Sequence, residues 1–361
     1  MTTPSVSLAE IGWDDAWQAE AGAATPRAGT VGRVVRVDRG ICAVVTADGL
    51  VRASLGSGVL EAMADDTLST PCTGDWCVLR KWCDGPMTVE RVLPRRTSVV
   101  RADSSGSSRG QALVANADVV GVVAALRPEP NLGRLERLLT LAWDSGAQPV
   151  VLLTKTDLVT DAPLVADDVR SAAPEVDVVC CSAVTGEGID AVRQLLGGNR
   201  TMALLGASGD GKSTLSNALV GTDVLTTMAI RADGKGRHTS VRRELCPLPG
   251  GGAVIDTPGL RGVGLPYAEE GLGATFPDIE ALAVQCRFND CTHTQEPGCE
   301  VLAAVDGGRI AVRRLESWQK LRREMEWMDT RTDARLRAAQ NQQLRRVTRQ
   351  RRRAGRSDGD P

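Results

Sequence analysis

Residues 201–206, TMALLG, read as an apolar strand, and the residues from Gly211 to Gly221 read as a helix. Between them runs the loop Gly206-Ala207-Ser208-Gly209-Asp210-Gly211, followed by Lys212, Ser213 and Thr214. G-x-x-x-x-G-K-S/T between a strand and a helix is a phosphate-binding loop. Its glycines let the backbone wrap tightly, so several N–H groups converge on an anion at a helix N-terminus. Lys212 would reach the β- and γ-phosphates, and Ser213 would ligate Mg²⁺. The neighbouring segments fit such a loop. The strand ADVVGVVAAL leads to the helix LGRLERLLTLAWDSG, and the strands PVVLLTKTDL and VDVVCCSA lead to the helix GIDAVRQLLGG. The strand GGAVIDTPG comes last. This alternation implies a mostly parallel sheet with helices on both faces, the α/β class.

Asp256-Thr-Pro-Gly259 ends that last strand, 43 residues after Ser213. An acid there can hold Mg²⁺, usually through water, and the Gly259 N–H can meet the γ-phosphate. Alone, DTPG is a common turn; beside a phosphate loop it is a second phosphate motif. Thr154-Lys155-Thr156-Asp157 follows PVVLL, and Ser182-Ala183 follows VDVVCC. These resemble the guanine-reading pair of GTPases, whose usual form is Asn-Lys-x-Asp and Ser-Ala. A carboxylate at Asp157 would accept from guanine N1–H and the exocyclic amine, a donor pair that adenine lacks. The Ala183 N–H would meet guanine O6, and the Lys155 stem would cover the ring face. Thr154 stands where Asn is usual and lacks the amide that braces the loop, which bears on affinity more than on base identity. In the usual GTPase the phosphate loop comes first and the base motifs last. Here Asp157 and Ser182 precede Gly206, and Asp256 closes the series. A circularly permuted GTPase domain satisfies this order, because each strand can keep its place in the sheet.

Ahead of the scaffold lie the short β-rich runs TVGRVVRV, ICAVVTADGL, VRASL, DWCVLRKW and MTVERVL. Five such strands in about 65 residues fit a small barrel of the OB type. Barrels of this kind bind oligonucleotides or serve as protein-contact modules. Cys72, Cys77 and Cys83 have no histidine near them and are expected to be half-buried thiols. Residues 1–28, rich in Ala, Glu and Gly with weak periodicity, read as a mobile or loosely docked extension. A Ser/Gly-rich link, RADSSGSSRGQ, separates the barrel from the α/β region.

Between the phosphate-loop helix and DTPG lies GKGRHTS, from Gly234 to Ser240. Its glycines and basic residues suit a switch ordered by Mg²⁺ and γ-phosphate, with Thr239 as the hydroxyl ligand. Leu260 follows Gly259, where Ras-like proteins carry a water-positioning glutamine. Leucine cannot do that work. His238 is therefore the candidate to orient or deprotonate the attacking water, unless a partner supplies the group or the histidine makes loop contacts only. The segment CRFNDCTHTQEPGC brings Cys286, Cys291, His293 and Cys299 together within 14 residues. Four N/S donors with no spare position describe one closed, structural Zn²⁺ site. The chain has just two histidines, and both fall inside these motifs.

The net charge of −2 hides an asymmetry, because Arg309 to Arg356 holds 16 Lys or Arg against five acids. That segment carries a net of about +11 and leaves about −13 for the rest. The distribution points to a polyanion partner at this end, bound with steep salt dependence, or else to a solvated helical tail. The stretch VRRLESWQKLRREMEWM reads as an amphipathic helix with a basic face, and LRRVTRQRRRAGR as a flexible polycation. No run of 18 apolar residues exists and the start lacks a basic-then-apolar signal pattern, so no membrane span and a cytoplasmic location are expected.

Taken together, the motif order, GKGRHTS, DTPG and CRFNDCTHTQEPGC resemble the ribosome small-subunit-dependent GTPases of bacteria, the RsgA or YjeQ family. The stretches PRRTSVVR and VANADVV and the N-terminal barrel agree, over about residues 29–325. The resemblance implies an OB barrel, a permuted GTPase domain and a zinc domain. It also implies binding to the small subunit and its rRNA late in maturation, with GTP hydrolysis far faster when bound. The expected division is an extension over 1–28, the barrel over 29–95 and the permuted GTPase over 96–268. The zinc-binding helical domain would span 269–330 and a basic tail 331–361, in a monomer that takes GTP or GDP with Mg²⁺. Thr154, the extension and the arginine-rich tail depart from the family pattern. Two other readings stand beside it: an RNA-binding GTP sensor with little hydrolysis, and a metallochaperone GTPase. The chain runs from DTPG straight into the metal segment, so ordering one could move the other.

Overall fold

In the computed structural model, the described residues are 6–22, 29–83, 85–102, 110–221, 243–259, 264–265 and 268–332. A first helix, α1 (Asp15–Gly22), precedes a closed barrel of β1 (Gly29–Asp38), β2 (Ile41–Thr46), β3 (Gly49–Leu55), β4 (Trp76–Lys81) and β5 (Met87–Val92). The strands pair in the order β1-β2-β3-β5-β4, with β4 returning to β1 and β3 running parallel to β5. Helix α2 (Ser57–Asp65) lies between β3 and β4 in the chain, its Val59 in the barrel core. Period-two alternation fills the interior: Cys42 and Val44 from β2, Cys77 and Leu79 from β4, with Val34, Ala53 and Val89. The barrel thiols differ from expectation. Cys72 and Cys77 are fully buried, where desolvation holds both thiols well above their usual range, and Cys83 is exposed.

After the ribbon of β6 (Ser98–Ala102) and β7 (Gly110–Ala115) comes a six-stranded sheet. Its strands are β8 (Val119–Ala125), β9 (Gln148–Thr154), β10 (Asp177–Cys180), β11 (Thr201–Gly206), β12 (Glu244–Pro247) and β13 (Ala253–Asp256). They lie in the order β10-β9-β8-β11-β13-β12, and only the edge strand β12 is antiparallel. The run Val119-Val120-Gly121-Val122-Val123 is apolar throughout because a central parallel strand is covered on both faces. The faces are covered by α3 (Leu132–Asp144), α4 (Ala162–Ala172), α5 (Ile189–Gln194) and α6 (Lys212–Val220). The chain steps outward from β8 to β10, then returns to place β11 beside β8. That reversal creates the crevice where ligands bind in open α/β sheets. Thr154, Cys180, Gly206 and Asp256, the last residues of β9, β10, β11 and β13, all lie at this carboxyl edge.

The N-terminal segment is firmly packed over its described part, 6–22, contrary to the mobile or loosely docked extension expected. Ile11, Trp17 and Ala21 are buried. Trp13 meets Trp76 edge-to-face at 4.8 Å, and the Glu10 carbonyl accepts from the Gly252 N–H at 2.7 Å in the turn before β13. Arg33 of β1, fully buried, donates to the Ile11 carbonyl, to Thr201 Oγ1 at 2.7 Å and to the Asn116 carbonyl at 2.7 Å. One guanidinium from the barrel thus ties it to the segment and to the sheet. The signal for this docking lay in the tryptophans, since a helix of eight residues carries little periodicity.

Beyond the sheet come α7 (Glu269–Thr275), α8 (Pro277–Ala283), a loop over 284–299, α9 (Glu300–Asp306) and α10 (Val312–Thr332). A buried ion network fixes this region to α3. Glu136 is 0% exposed and Arg314 4%, and Arg314 Nη1 donates to Glu136 Oε1 at 3.1 Å. Arg314 also donates to both Asp278 oxygens and to the Ala172 and Thr275 carbonyls, and it lies over the Phe276 ring. Arg313, at the surface, donates to both oxygens of Glu136. Among the described residues, no helix is long and apolar enough to cross a membrane.

Candidate functional site

The phosphate loop turns through two residues in the left-handed region, Gly209 at φ +93° and Gly211 at φ +90°, where side chains other than glycine are strained. Asp210 Oδ2 accepts from the Ala207 N–H at 2.7 Å and holds the loop closed. Lys212 Nζ donates to the Gly206 and Ala207 carbonyls at 3.1 and 2.7 Å, so its ammonium arches back over the loop. Burial lowers its pKa, opposed by the charges of Asp256 and Asp210. Ser213, at the start of α6, donates through Oγ to Asp256 Oδ2 at 2.6 Å. Desolvation raises the Asp256 pKa, against the Ser213 bond and the Lys212 charge. Asp256 Oδ1 is buried with no hydrogen-bond partner among the described residues. A hydroxyl and an orphaned carboxylate oxygen side by side are the hard donors that Mg²⁺ takes. After DTPG begins, the backbone comes against the loop: a Cβ at Gly259 would lie 2.6 Å from Ser208 N. Only glycine lets the two phosphate motifs approach this closely.

The two base motifs meet each other and the phosphate loop. Ser182, buried, donates through Oγ to Asp157 Oδ1 at 2.5 Å and accepts from the Val184 and Thr185 N–H groups. Thr156 Oγ1 donates to Glu187 Oε2 at 3.1 Å. Thr154 Oγ1 donates to the Asp210 carbonyl at 2.6 Å, and Lys155, at φ +62°, donates through Nζ to the Gly209 carbonyl at 2.7 Å. Asp157 is exposed, Ala183 half-buried, and Thr214 follows Ser213 in the first turn of α6. All the candidate residues from Thr154 to Asp157, Ser182 to Ala183, Gly206 to Thr214, and Asp256 and Gly259 therefore belong to one connected edge. His238 and Thr239 lie outside the described residues, as does Leu260. Glu187 is the residue that motif reading missed. It comes five positions after Ser182, and its meaning lies in two contacts, its carboxylate accepting from Thr156 and its carbonyl from the Ser182 N–H at 2.9 Å.

In the C-terminal region, one ligand atom each from Cys286, Cys291, His293 and Cys299 falls within 4.8 Å of the others, so the cluster could hold a metal ion. Cys299 Sγ also accepts from the Leu302 N–H at 3.4 Å, capping the N-terminus of α9. His293, buried and at φ +56°, has its pKa lowered by desolvation and by Arg322, which favours the neutral imidazole that binds metals. Its carbonyl accepts from Gln319 Nε2 at 2.7 Å, tying the loop to α10. Glu296 accepts from the N–H groups of Thr292, Thr294 and Gln295 and from the Thr292 hydroxyl. These bonds fold the loop between the ligands and depress the Glu296 carboxyl far below its usual range.

Comparison with known proteins agrees with the geometry. The sequence profile of the RsgA GTPase family matches residues 92–266. A Streptomyces avermitilis protein named small ribosomal subunit biogenesis GTPase RsgA is 51% identical over 341 residues, covering 93% of this chain and 90% of that one. The crystal structure of YjeQ from Thermotoga maritima superposes with a TM-score of 0.59 at 26% identity, over 82% of this chain and 98% of that one. That of YloQ, described as a circularly permuted GTPase, gives 0.56 at 23% identity over 83% and 96%, a likeness of fold.

Proposed function

The chain belongs to the RsgA family of GTPases, and on that footing we propose that it is a maturation factor of the small ribosomal subunit whose GTP hydrolysis is switched on by the subunit. The observation that carries the nucleotide half of this reading is the tie between base loop and phosphate loop, Thr154 to Asp210 and Lys155 to Gly209, beside the Ser213–Asp256 pair. The ribosomal half is supported by relatives named as small-subunit biogenesis GTPases and by the arginine-rich C-terminal end.

In this reading the N–H groups of the loop from Gly206 to Thr214 surround the phosphates, and the Lys212 ammonium swings from its two carbonyls to the β- and γ-oxygens. Ser213, Thr239 and Asp256 would hold Mg²⁺, which would supply positive charge against the phosphates. The Gly259 N–H meets the γ-phosphate. Asp157 reads guanine through N1–H and N2, Ala183 N–H meets O6, and Lys155 lies across the ring. His238 orients the water that attacks the γ-phosphorus, as Leu260 cannot. Cys286, Cys291, His293 and Cys299 hold one structural Zn²⁺, which when bound cross-links the loop over 284–299. Four donors already clustered argue against a site that hands its ion on. The protein works as a cytoplasmic monomer, and rRNA phosphates are the anions met by its basic end.

The test is hydrolysis of GTP and ATP by the purified protein, alone and with purified small ribosomal subunits, at two salt concentrations. The proposal expects strong, GTP-selective and salt-sensitive stimulation by the subunits. Tight GTP binding with no stimulation would favour a sensor or another activating partner.

A further inference from the structure

The buried arginines of this fold commit their donors to acceptors within the chain. Arg33 uses three carbonyls and Thr201, and Arg95 uses Asp75 and two carbonyls. Arg314 uses Glu136, Asp278 and two carbonyls. Two arginines break this pattern where the barrel, the ribbon β6–β7 and the edge strand β12 meet. Arg101 of β6 and Arg243, directly before β12, are half-buried, and the Nε of each is buried with no hydrogen-bond partner among the described residues. Arg101 donates from Nη2 to the neutral Gln111 Oε1 at 3.1 Å. Among the described residues, no hydrogen bond or ion pair engages the Arg243 guanidinium. The carboxylates of this region are committed elsewhere: Asp75 takes Arg95 with both oxygens, and Glu244 lies 3.6 Å from Arg36. Burial lowers the Arg243 pKa and the Arg101 charge lowers it further, opposed by Cys72 alone. That thiol is neutral, because desolvation and Asp75 hold it well above its usual range. The seam itself is well made. Thr73, buried, donates through Oγ1 to the Arg243 carbonyl at 3.5 Å, its own carbonyl accepts from the Ala115 N–H at 3.0 Å, and Cys72 packs with Ala112.

We propose that Arg101 and Arg243 form a second anion site, for a phosphate group, at the seam between the barrel's exit ribbon and the sheet. Two cations held near each other without a counter-ion are costly, and an oxyanion supplies both the charge and the acceptors that the two Nε groups lack. The planar fork of a guanidinium matches the oxygens of a phosphate, and a tetrahedral anion has enough of them for two forks. The site is separate from the phosphate loop. The charge acting on Asp256 comes from Lys212 and not from Arg243, and that acting on Arg243 comes from Arg101 and Cys72. An anion held by both arginines clamps β6 to the start of β12. Arg243 stands three residues after Ser240, so the same anion anchors the sheet end of the segment that carries GKGRHTS.

The test titrates inorganic phosphate into the full chain at low chloride, saturated with Mg²⁺ and a non-hydrolysable GTP analogue so that the phosphate loop is filled. Wild type, Arg243→Met and Arg101→Met are compared by calorimetry and thermal unfolding. Each substitution removes charge-assisted hydrogen bonds and should weaken phosphate at least about tenfold. At ten times its dissociation constant, phosphate should raise the wild-type midpoint about 3–6 °C more than that of either variant. The general stabilisation by phosphate is common to all three proteins and cancels. In phosphate-free buffer both variants should melt no lower than wild type, because they relieve the crowding of like charges. Equal phosphate binding by wild type and Arg243→Met overturns the proposal. So does a lower midpoint of Arg243→Met in phosphate-free buffer, the mark of an arginine already paired within the chain. Should Arg243→Met not fold, Arg101→Met makes the same comparison. A short single-stranded RNA, added as competitor, separates the sources: displacement of phosphate assigns the site to a backbone phosphate, and none assigns it to the free ion.

Discussion

Arg314 is the residue whose removal should loosen the C-terminal region most. Its guanidinium is buried, and replacement by Met keeps most of the volume while deleting every donor. Glu136 then remains as a fully buried carboxylate facing Arg313 alone, which is 41% exposed at its side chain and well hydrated. The Ala172 and Thr275 carbonyls lose a partner, and Asp278 loses a two-pronged one. Breaking one side of a buried pair typically costs about 3–5 kcal/mol, and Arg313 softens the loss toward the lower end, about 3 kcal/mol. At roughly 2–4 °C per kcal/mol for a unit of this size, the apparent midpoint should fall by about 6–12 °C. The assay is thermal unfolding followed by near-ultraviolet circular dichroism, at fixed zinc and GDP because bound ligands raise the midpoint. As a control, Arg170→Ala removes an exposed i,i+3 pair with Asp167 and should shift the midpoint by no more than about 2 °C. The double variant Glu136→Met with Arg314→Met should be more stable than Arg314→Met alone, since it removes the stranded charge. A fall under about 2 °C in Arg314→Met, or strict additivity in the double variant, would refute the reasoning.

Other consequences concern the termini, the metal and the chemistry. Arg96 donates to both oxygens of Asp14 at 2.6 and 2.9 Å and holds its carboxyl down to about 2. A folded pKa below the unfolded value gives stability that is present above about pH 4 and lost as pH falls toward 2. The pair is half exposed and worth at most about 1 kcal/mol, so acid should loosen the N-terminal segment within that window without unfolding the protein. Tryptophan fluorescence reports it through Trp13 and Trp17 on Trp76, and Asp14→Asn should abolish the transition. Treatment with a strong metal chelator should expose residues 284–299 to protease and lower the midpoint while GDP affinity stays within about twofold; intact protection after chelation would argue that no metal holds the loop. His238→Ala should lower turnover at least about tenfold and leave GTP affinity intact, and unchanged turnover would remove His238 from the mechanism.

How far the sequence alone reaches can be judged residue by residue. The strands of the sheet were legible because apolar runs such as Val119–Val123 leave no other place for a chain to hide them, and the phosphate loop because glycine and lysine spacing is fixed by backbone geometry. The barrel was legible by alternation, but ICAVVTADGL reads as one run although a turn at Ala47 and Asp48 divides β2 from β3. Neither Arg33 nor Arg314 could be placed from sequence. Each is an arginine within an ordinary polar pattern, and its burial depends on acceptors tens to hundreds of residues away, from Ile11 to Thr201 in one case and from Glu136 to Asp278 in the other. The packing of the N-terminal segment escaped notice because its eight-residue helix carries little periodicity and Trp13 and Trp17 find Trp76 only in the fold. The expectation that ordering DTPG could move the metal segment also meets a physical limit. α7 and α10 are anchored on α3 through Thr140–Thr275 and Glu136–Arg314, so any such movement must carry or break those bonds.

The central claim is that motifs in rotated order build one guanine-nucleotide site read by Asp157. Replacing Asp157 with Asn tests it most directly, because the amide turns one of the two carboxylate acceptors facing the base into a donor while Ser182 still supports the loop. Binding of GTP and of xanthosine triphosphate, whose C2 carries a carbonyl where guanine has an amine, is measured on both proteins. The account predicts that the wild type prefers GTP by at least about a hundredfold, and that Asp157→Asn loses GTP affinity and gains xanthosine triphosphate. Unchanged preference in the variant would contradict the assignment of Asp157, and with it the claim that the base loop beside Thr154 and the phosphate loop at Gly206 serve one nucleotide.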